Sequence, residues 1–311
     1  MGKKLLILAL IILVGSIAGY AGRNHLFTWK ESRAGKTSQE NNIIQTTGPT
    51  SSITQSSYGN KKYTAPTPKN KDVQKTTTTG NLPDKKYGWG IKKKGNHQQP
   101  EVPAGICDTL ARYDAYWIGD PKEKAVYLTF DEGYENGYTS KILDILKEQN
   151  VKSAFFITGH YLKSQPELVK KMVQEGHIVG NHTVNHPCLP DLTGEEIKKE
   201  AGQLAEDFLK LTGKKMVYLR PPKGEYSERT LAETKALGYY NIFWSLALVD
   251  WVPMPGGPDE AYRSVMDNVH NGALILLHAV SKDNTESLER TLKDIKAQGY
   301  TFKTLDELVK K

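Results

Sequence analysis

Ala125-Val126-Tyr127-Leu128-Thr129-Phe130-Asp131-Glu132 runs through six residues of strand character and stops on two carboxylates. A short, nearly continuous apolar run of this kind reads as a strand buried on both faces, as in a parallel sheet. Working outward, the same pattern recurs. Strands are predicted at 125–130, 154–157, 177–180, 216–219, 241–244 and 273–277, with a short extended piece at 300–303. Helices are predicted between them at 140–149, 166–175, 195–211, 228–237 and 260–270, and after the last long strand at 285–298 and 305–311. Thr193-Gly194-Glu195-Glu196 has the spacing of a capping box. Gly176, Gly213 and Gly238 each stand where a left-handed residue closes a helix. Alternation of this kind over about 200 residues argues an α/β fold around a parallel sheet. A barrel and a doubly wound sheet satisfy it equally.

The polar residues fall where those strands end. Asp131 follows Phe130, His182 follows Gly180-Asn181, Arg220 follows Leu219, Asp250 comes a few residues after Trp244, and His278 follows Leu277. In a parallel α/β sheet the C-terminal strand ends share one face, and such folds build their sites there.

The rest of the chain has a different texture. Of 311 residues, 38% are hydrophobic and only two are Cys, which excludes a polytopic membrane protein and a disulfide-dense scaffold. The net charge of +7 is unevenly spread. Up to Gly105 there are 16 Lys and Arg against 5 Asp and Glu; the totals of 42 and 35 leave 26 against 30 beyond it. The basic balance belongs to the N-terminal third, so nucleic-acid binding loses its main support. Residues 1–22, with Lys3-Lys4 before an apolar run from Leu5 to Gly19, read as a signal peptide or a retained membrane anchor, and hence as export. Residues 23–105 read as a disordered basic linker whose lysines suit an anionic membrane or wall polymer. The folded domain is expected at 106–311, as a monomer.

The strand-end residues suit metal-assisted hydrolysis. His182-Thr183-Val184-Asn185-His186 spaces two imidazoles at i and i+4, which on a helical turn share one face and reach one ion. The Glu of HExxH is missing, which disfavours zinc-protease chemistry. Asp131-Glu132 offers one carboxylate as ligand and one as general base. Arg220-Pro221-Pro222-Lys223-Gly224 is a rigid turn whose Arg can grip a carboxylate. His278 reads as a general acid oriented by Asp250. Cys107 and Cys188 read as free thiols, and His160 and His177 as structural.

Five segments, in order, resemble the five motifs of the polysaccharide deacetylases, the NodB-homology enzymes of carbohydrate esterase family 4. They are Thr129-Phe130-Asp131-Glu132-Gly133, His182 to His186, Arg220 to Gly224, Asp250-Trp251 and Leu276-Leu277-His278. The resemblance runs from about Tyr113 onward. Gly133-Tyr134-Glu135-Asn136-Gly137-Tyr138 and His278-Ala279-Val280-Ser281-Lys282-Asp283-Asn284 are similar to the δ-lactam-biosynthetic de-N-acetylases, a subgroup acting on N-acetylmuramic acid of peptidoglycan in the spore cortex. The resemblance implies a distorted (β/α) barrel and a divalent metal ion, zinc before cobalt, manganese or magnesium. It implies Asp131 as general base positioned by Arg220, and His278 as general acid tuned by Asp250. His182, His186 and Glu132 are implied as metal ligands, although the family usually has Asp where Glu132 stands. Lys223 is implied as a backbone donor to the oxyanion. Gly224, Trp251, Leu276 and Tyr134 are implied to line the substrate groove. The implied partner is the peptidoglycan glycan strand; N-acetylglucosamine units, chitin-like glycans or acetylated xylan as substrate, and a non-catalytic wall-binding role on the same fold, are the alternatives.

Overall fold

The structure, a computed structural model, describes residues 82–309. The expected signal or anchor at 1–22 and the linker up to residue 81 lie outside the described residues. Among the described residues no helix is long and apolar enough to cross a membrane.

The described residues open with β1 (Tyr87–Gly88), α1 (Ile106–Arg112) and β2 (Ala115–Tyr116). The strand that begins the sheet proper is β3 (Ala125–Glu132), followed by α2 (Thr139–Glu148) and β4 (Ala154–Ile157). Then come α3 (Gly159–Ser164), α4 (Pro166–Gln174), β5 (Ile178–Asn181), α5 (Gly194–Thr212) and β6 (Tyr218–Leu219). β7 (Glu225–Tyr226), α6 (Glu228–Ala236), β8 (Tyr240–Ile242), β9 (Leu246–Ala247) and α7 (Gly257–Met266) lead to β10 (Ala273–His278). The chain closes with α8 (Lys282–Ala297), β11 (Thr301–Phe302) and α9 (Leu305–Val309).

The main sheet has the order β2-β8-β6-β5-β4-β3-β10-β9, with β11 added beside β3, and every pair in it is parallel. β2 and β9 end the ladder without pairing to each other, so the sheet curls into an incomplete barrel. The expected distorted (β/α) barrel is what the chain forms.

Two clusters show how strand alternation sorts side chains. Val126, Leu128 and Phe130 join Phe155 and Ile157 on the outer face, packed with helical residues such as Ile142, Leu143, Leu204 and Leu288. Ala125 and Tyr127 join Ala154, Phe156, Tyr218 and Leu274 on the inner face, closed by Leu305 and Leu308 of α9. Gly180 keeps this interior open: a Cβ there would stand 2.5 Å from the Phe156 ring. The capping box of α5 is formed, with the Thr193 side chain accepting from Glu196 N–H, and Gly213 closes the helix in the left-handed conformation.

The expected linker boundary at 105 needs correction. β1 pairs antiparallel with β7, and Trp89, 9% exposed, joins Tyr113, Tyr226 and Phe243 in a third cluster. Leu82, Ile91 and Val102 pack against it. Tyr87, Trp89 and Ile91 alternate with Gly88 and Gly90, a period of two that marks a strand even in a polar stretch. The residues from 82 to 105 therefore belong to the folded domain.

Candidate active site

Register brings the first two catalytic candidates together. In the β3–β10 pair, His278 stands opposite Asp131, and both project to the inner face. Leu276, two residues before His278 on that face, is buried. β5 and β6 lie on the other side, and His182 and Arg220 follow their last residues.

Arg220 is wholly buried. Its Nη1 donates to Asp131 Oδ1 at 2.7 Å, Nη2 to Thr129 Oγ1 at 2.9 Å and to Phe243 O at 3.3 Å, and Nε to Ile242 O at 3.1 Å. Its Cζ lies 4.2 Å from the centroid of the Phe156 ring. Burial opposes charge on Asp131. The facing Arg220, with His182 and His278, outweighs it and holds the carboxyl below the usual range. Asp131 is thus an ionised base whose second oxygen, Oδ2, stands 3.5 Å from His182 Nε2.

The histidine pair converges, although not on a helix. Residues 182–188 form a loop in which Thr183 and His186 take positive φ of 67° and 56°. Asn181 Oδ1 accepts from Thr183 N–H at 2.8 Å and Thr183 Oγ1 from His186 N–H at 3.0 Å. This turn, rather than a helical i to i+4 spacing, places His186 Nε2 3.1 Å from His182 Nε2. His182 Nδ1 lies 2.9 Å from Arg220 O, so it carries the proton and leaves the Nε2 lone pair free. Burial lowers the pKa of both rings, that of His186 to about 4, so both are neutral at pH 7.

These atoms fit a divalent ion. Two nitrogens each 2.0–2.1 Å from a tetrahedral ion lie about 3.3 Å apart, close to the spacing found. Among the described residues no group of three His, Cys, Asp or Glu forms a tight cluster, and Asp131 Oδ2 stands 3.5 Å from His182 Nε2. When bound at His182 and His186, a divalent ion supplies Lewis-acid polarisation of a carbonyl.

Glu132, expected as the third ligand, is not part of this set. One residue past Asp131, it points to the opposite face of β3, into the layer of helices. There Thr139 Oγ1 approaches Glu132 Oε1 at 3.4 Å, and Oε2 has no partner. Burial and the nearby Glu135 push its pKa well above the usual value. An alternation of period two carries the ligand away from the pair.

The acid is held equally firmly. Asp250, 1% exposed, accepts from His278 Nδ1 at 2.7 Å through Oδ1, and from His278 N–H at 2.7 Å through Oδ2. Asn284 Nδ2 also donates to Oδ2. Burial works against the imidazolium, and the Asp250 bond and charge outweigh it, so the pKa of His278 is raised. Trp251, 55% exposed, stands over His278 with ring centroids 5.1 Å apart. Tyr134, also exposed, lies on the loop after β3. Lys223 is exposed, has φ 59°, and its charge acts on His186. Gly224 is buried behind it. Cys107 and Cys188 are free, and His177 is a buried partner of Ser153 N–H.

Thr129 and Asn284 were given no role from sequence, yet each holds a catalytic partner. An ionised carboxylate, an imidazole whose pKa is raised and a pair of neutral imidazoles brought together at the strand ends form a hydrolytic set for an acyl group: the base can take a proton from water and the acid can give one to the leaving atom. Residues 118–242 match the family model described as polysaccharide deacetylase. The peptidoglycan-N-acetylmuramic acid deacetylase PdaA of Bacillus subtilis is 47% identical over 230 residues, 73% of this chain and 88% of that protein.

The chain belongs to the polysaccharide deacetylase family.

The solved structure of PdaA from Bacillus subtilis, a family 4 carbohydrate esterase, superposes with a TM-score of 0.70, covering 73% of this chain and 98% of that one. A peptidoglycan-N-acetylglucosamine deacetylase of Bacillus cereus is 33% identical over 199 residues, 62% of this chain and 72% of that protein. As a polysaccharide deacetylase the chain is a hydrolase.

Proposed function

We propose that this enzyme is an exported, metal-dependent de-N-acetylase of peptidoglycan that acts on N-acetylmuramic acid. Water adds to the acetyl carbonyl as Asp131 takes its proton. The C–N bond then breaks as His278 protonates the nitrogen, releasing acetate and a free amine. The freed amine sits beside the lactyl carboxyl of the same sugar, so the product is primed for muramic δ-lactam formation, the chemistry of spore cortex. The observation that carries the reaction is the register pairing of Asp131 with His278 beside the histidine pair. The ion held by His182 and His186 is zinc first, with cobalt, manganese and magnesium as alternatives.

N-Acetylmuramic acid differs from N-acetylglucosamine by its lactyl carboxylate, and the exposed Lys223 cation beside His186 is a group that favours an anion there. The greater identity to the muramic acid deacetylase supports the same choice. Lys3-Lys4 with the apolar run behind them supports export, and the lysines up to Lys75 support contact with anionic wall polymer or lipid.

The test is acetate release from intact peptidoglycan, glycan stripped of its peptides, and chitooligosaccharide, each with and without chelator. Chelator-sensitive release from stripped glycan supports the proposal. Release from chitooligosaccharide alone overturns the substrate, and release insensitive to chelator overturns the metal.

A further inference from the structure

The turn from Arg220 to Gly224 is gripped at both ends. At its start, His182 Nδ1 donates to Arg220 O at 2.9 Å. At its end, Trp89 N–H donates to Gly224 O at 2.8 Å. Within it, Gly224 N–H bonds Pro221 O and Glu225 N–H bonds Pro222 O. The Lys223 N–H between them takes part in neither bond. Lys223 also holds a left-handed backbone, φ 59° and ψ 6°, which costs a non-glycine residue about 1 kcal/mol or more and persists only where the surroundings enforce it.

Trp89 is the outer wall of that enforcement. Its indole Nε1 donates to Trp244 O at 2.9 Å, one peptide beyond the Phe243 carbonyl that receives Arg220 Nη2. Its ring packs against Phe243 with centroids 4.8 Å apart. A Cβ on Gly224 would stand 3.0 Å from Trp89 Cβ and 2.8 Å from Trp244 Cη2, so the Trp89 Cβ and the Trp244 indole close directly on the glycine. Trp89 lies outside residues 118–242 and approaches the turn from the N-terminal segment, through the β1–β7 pair.

We infer that Trp89 is a positioning residue for the reaction: it holds the strained Lys223 peptide so that the Lys223 N–H meets the oxyanion formed when water adds to the acetyl carbonyl. This rests on the deacetylase reading above. A donor that has lost its fixed direction stabilises the transition state less, so the loss falls chiefly on kcat.

The experiment is steady-state kinetics of the full chain and its Trp89→Ala and Trp89→Phe variants on stripped glycan, with folded fraction from circular dichroism and metal content measured for each. Loss of one oxyanion donor costs about 100- to 1000-fold in kcat, so its misalignment in Trp89→Ala is expected to cost about 10- to 100-fold, with KM changed less than about 3-fold. Trp89→Phe keeps an aromatic ring against Phe243 and the backbone bond to Gly224 O while losing the indole N–H bond to Trp244 O, and is expected to recover most of that loss. Where the alanine variant does not fold, Trp89→Leu is read in its place. Unchanged kcat per folded molecule, or a loss confined to KM, overturns the role of Trp89 while the deacetylase reading stands. A wild-type chain that releases no acetate from any glycan overturns both.

Discussion

Arg220 Nη1 lies 2.7 Å from Asp131 Oδ1, and the guanidinium is wholly buried. This pair joins β3 to the turn after β6 and fixes which carboxylate oxygen is left for chemistry. Breaking a buried pair from one side strands the other charge and costs about 3–5 kcal/mol.

Asp131→Asn is therefore expected to abolish acetate release, by at least about 100-fold in kcat, while the histidine pair keeps its metal. It is also expected to lower the thermal midpoint. The folded pKa of Asp131 is depressed, so the pair stabilises the fold above the unfolded value of about 3.9 and loses that contribution as pH falls through the folded value. The stability gap between wild type and variant should close in acid. Retained turnover would remove Asp131 as the base.

Glu132→Gln is expected to leave metal content unchanged and kcat within about 3-fold of wild type, because the side chain lies on the helical side of β3. The folded pKa of Glu132 is raised, so the wild type loses stability as pH rises above the unfolded value of about 4.3. The glutamine variant should gain thermal midpoint over wild type at pH 8 and little at pH 4. Loss of metal from the variant would restore Glu132 as a ligand.

With His278 as the proposed acid, its raised pKa is expected to set the alkaline limb of the pH–rate profile. The acid works while protonated, so activity should fall only as pH passes above the ordinary histidine value of about 6.5. Asp250→Asn removes the charge and one acceptor that outweigh burial, so the limb should move to lower pH and kcat at pH 8 should drop about 10-fold or more. A limb that stays in place would separate Asp250 from the acid.

A chain beginning at residue 82 should match the full chain in thermal midpoint and kcat, whereas one beginning at 106 loses Trp89 from the cluster with Tyr113, Tyr226 and Phe243. Removing one buried tryptophan side chain costs about 3–5 kcal/mol, so the shorter chain should unfold well below the longer one. Equal midpoints would return 82–105 to the linker.

Much of this was written in the sequence where burial is continuous. β3, β4 and β10 read as strands because their runs are apolar on both faces, and Asp131 and His278 were legible as their polar ends. β2, β7 and β9 span two residues each, too few for any period, and are strands only because neighbours pair with them. α3 stops just before Pro166, so its six residues leave no helical repeat to read. The histidine pair was found through a spacing that suits a helix, but two left-handed residues in a loop bring the rings together. Glu132 was misplaced because its neighbour's chemistry outweighed the alternation of the strand both occupy. Trp89 was passed over because its surroundings are polar, although Tyr87, Trp89 and Ile91 keep a strand period.

The most direct test of the account is mass mapping of stripped glycan after incubation with the full chain and its His182→Ala variant. The account predicts loss of one acetyl group from muramic acid residues, with N-acetylglucosamine intact, and no loss with the variant, which should also be metal-free. Acetyl loss from glucosamine alone, or from muramic acid by a metal-free variant, would contradict it.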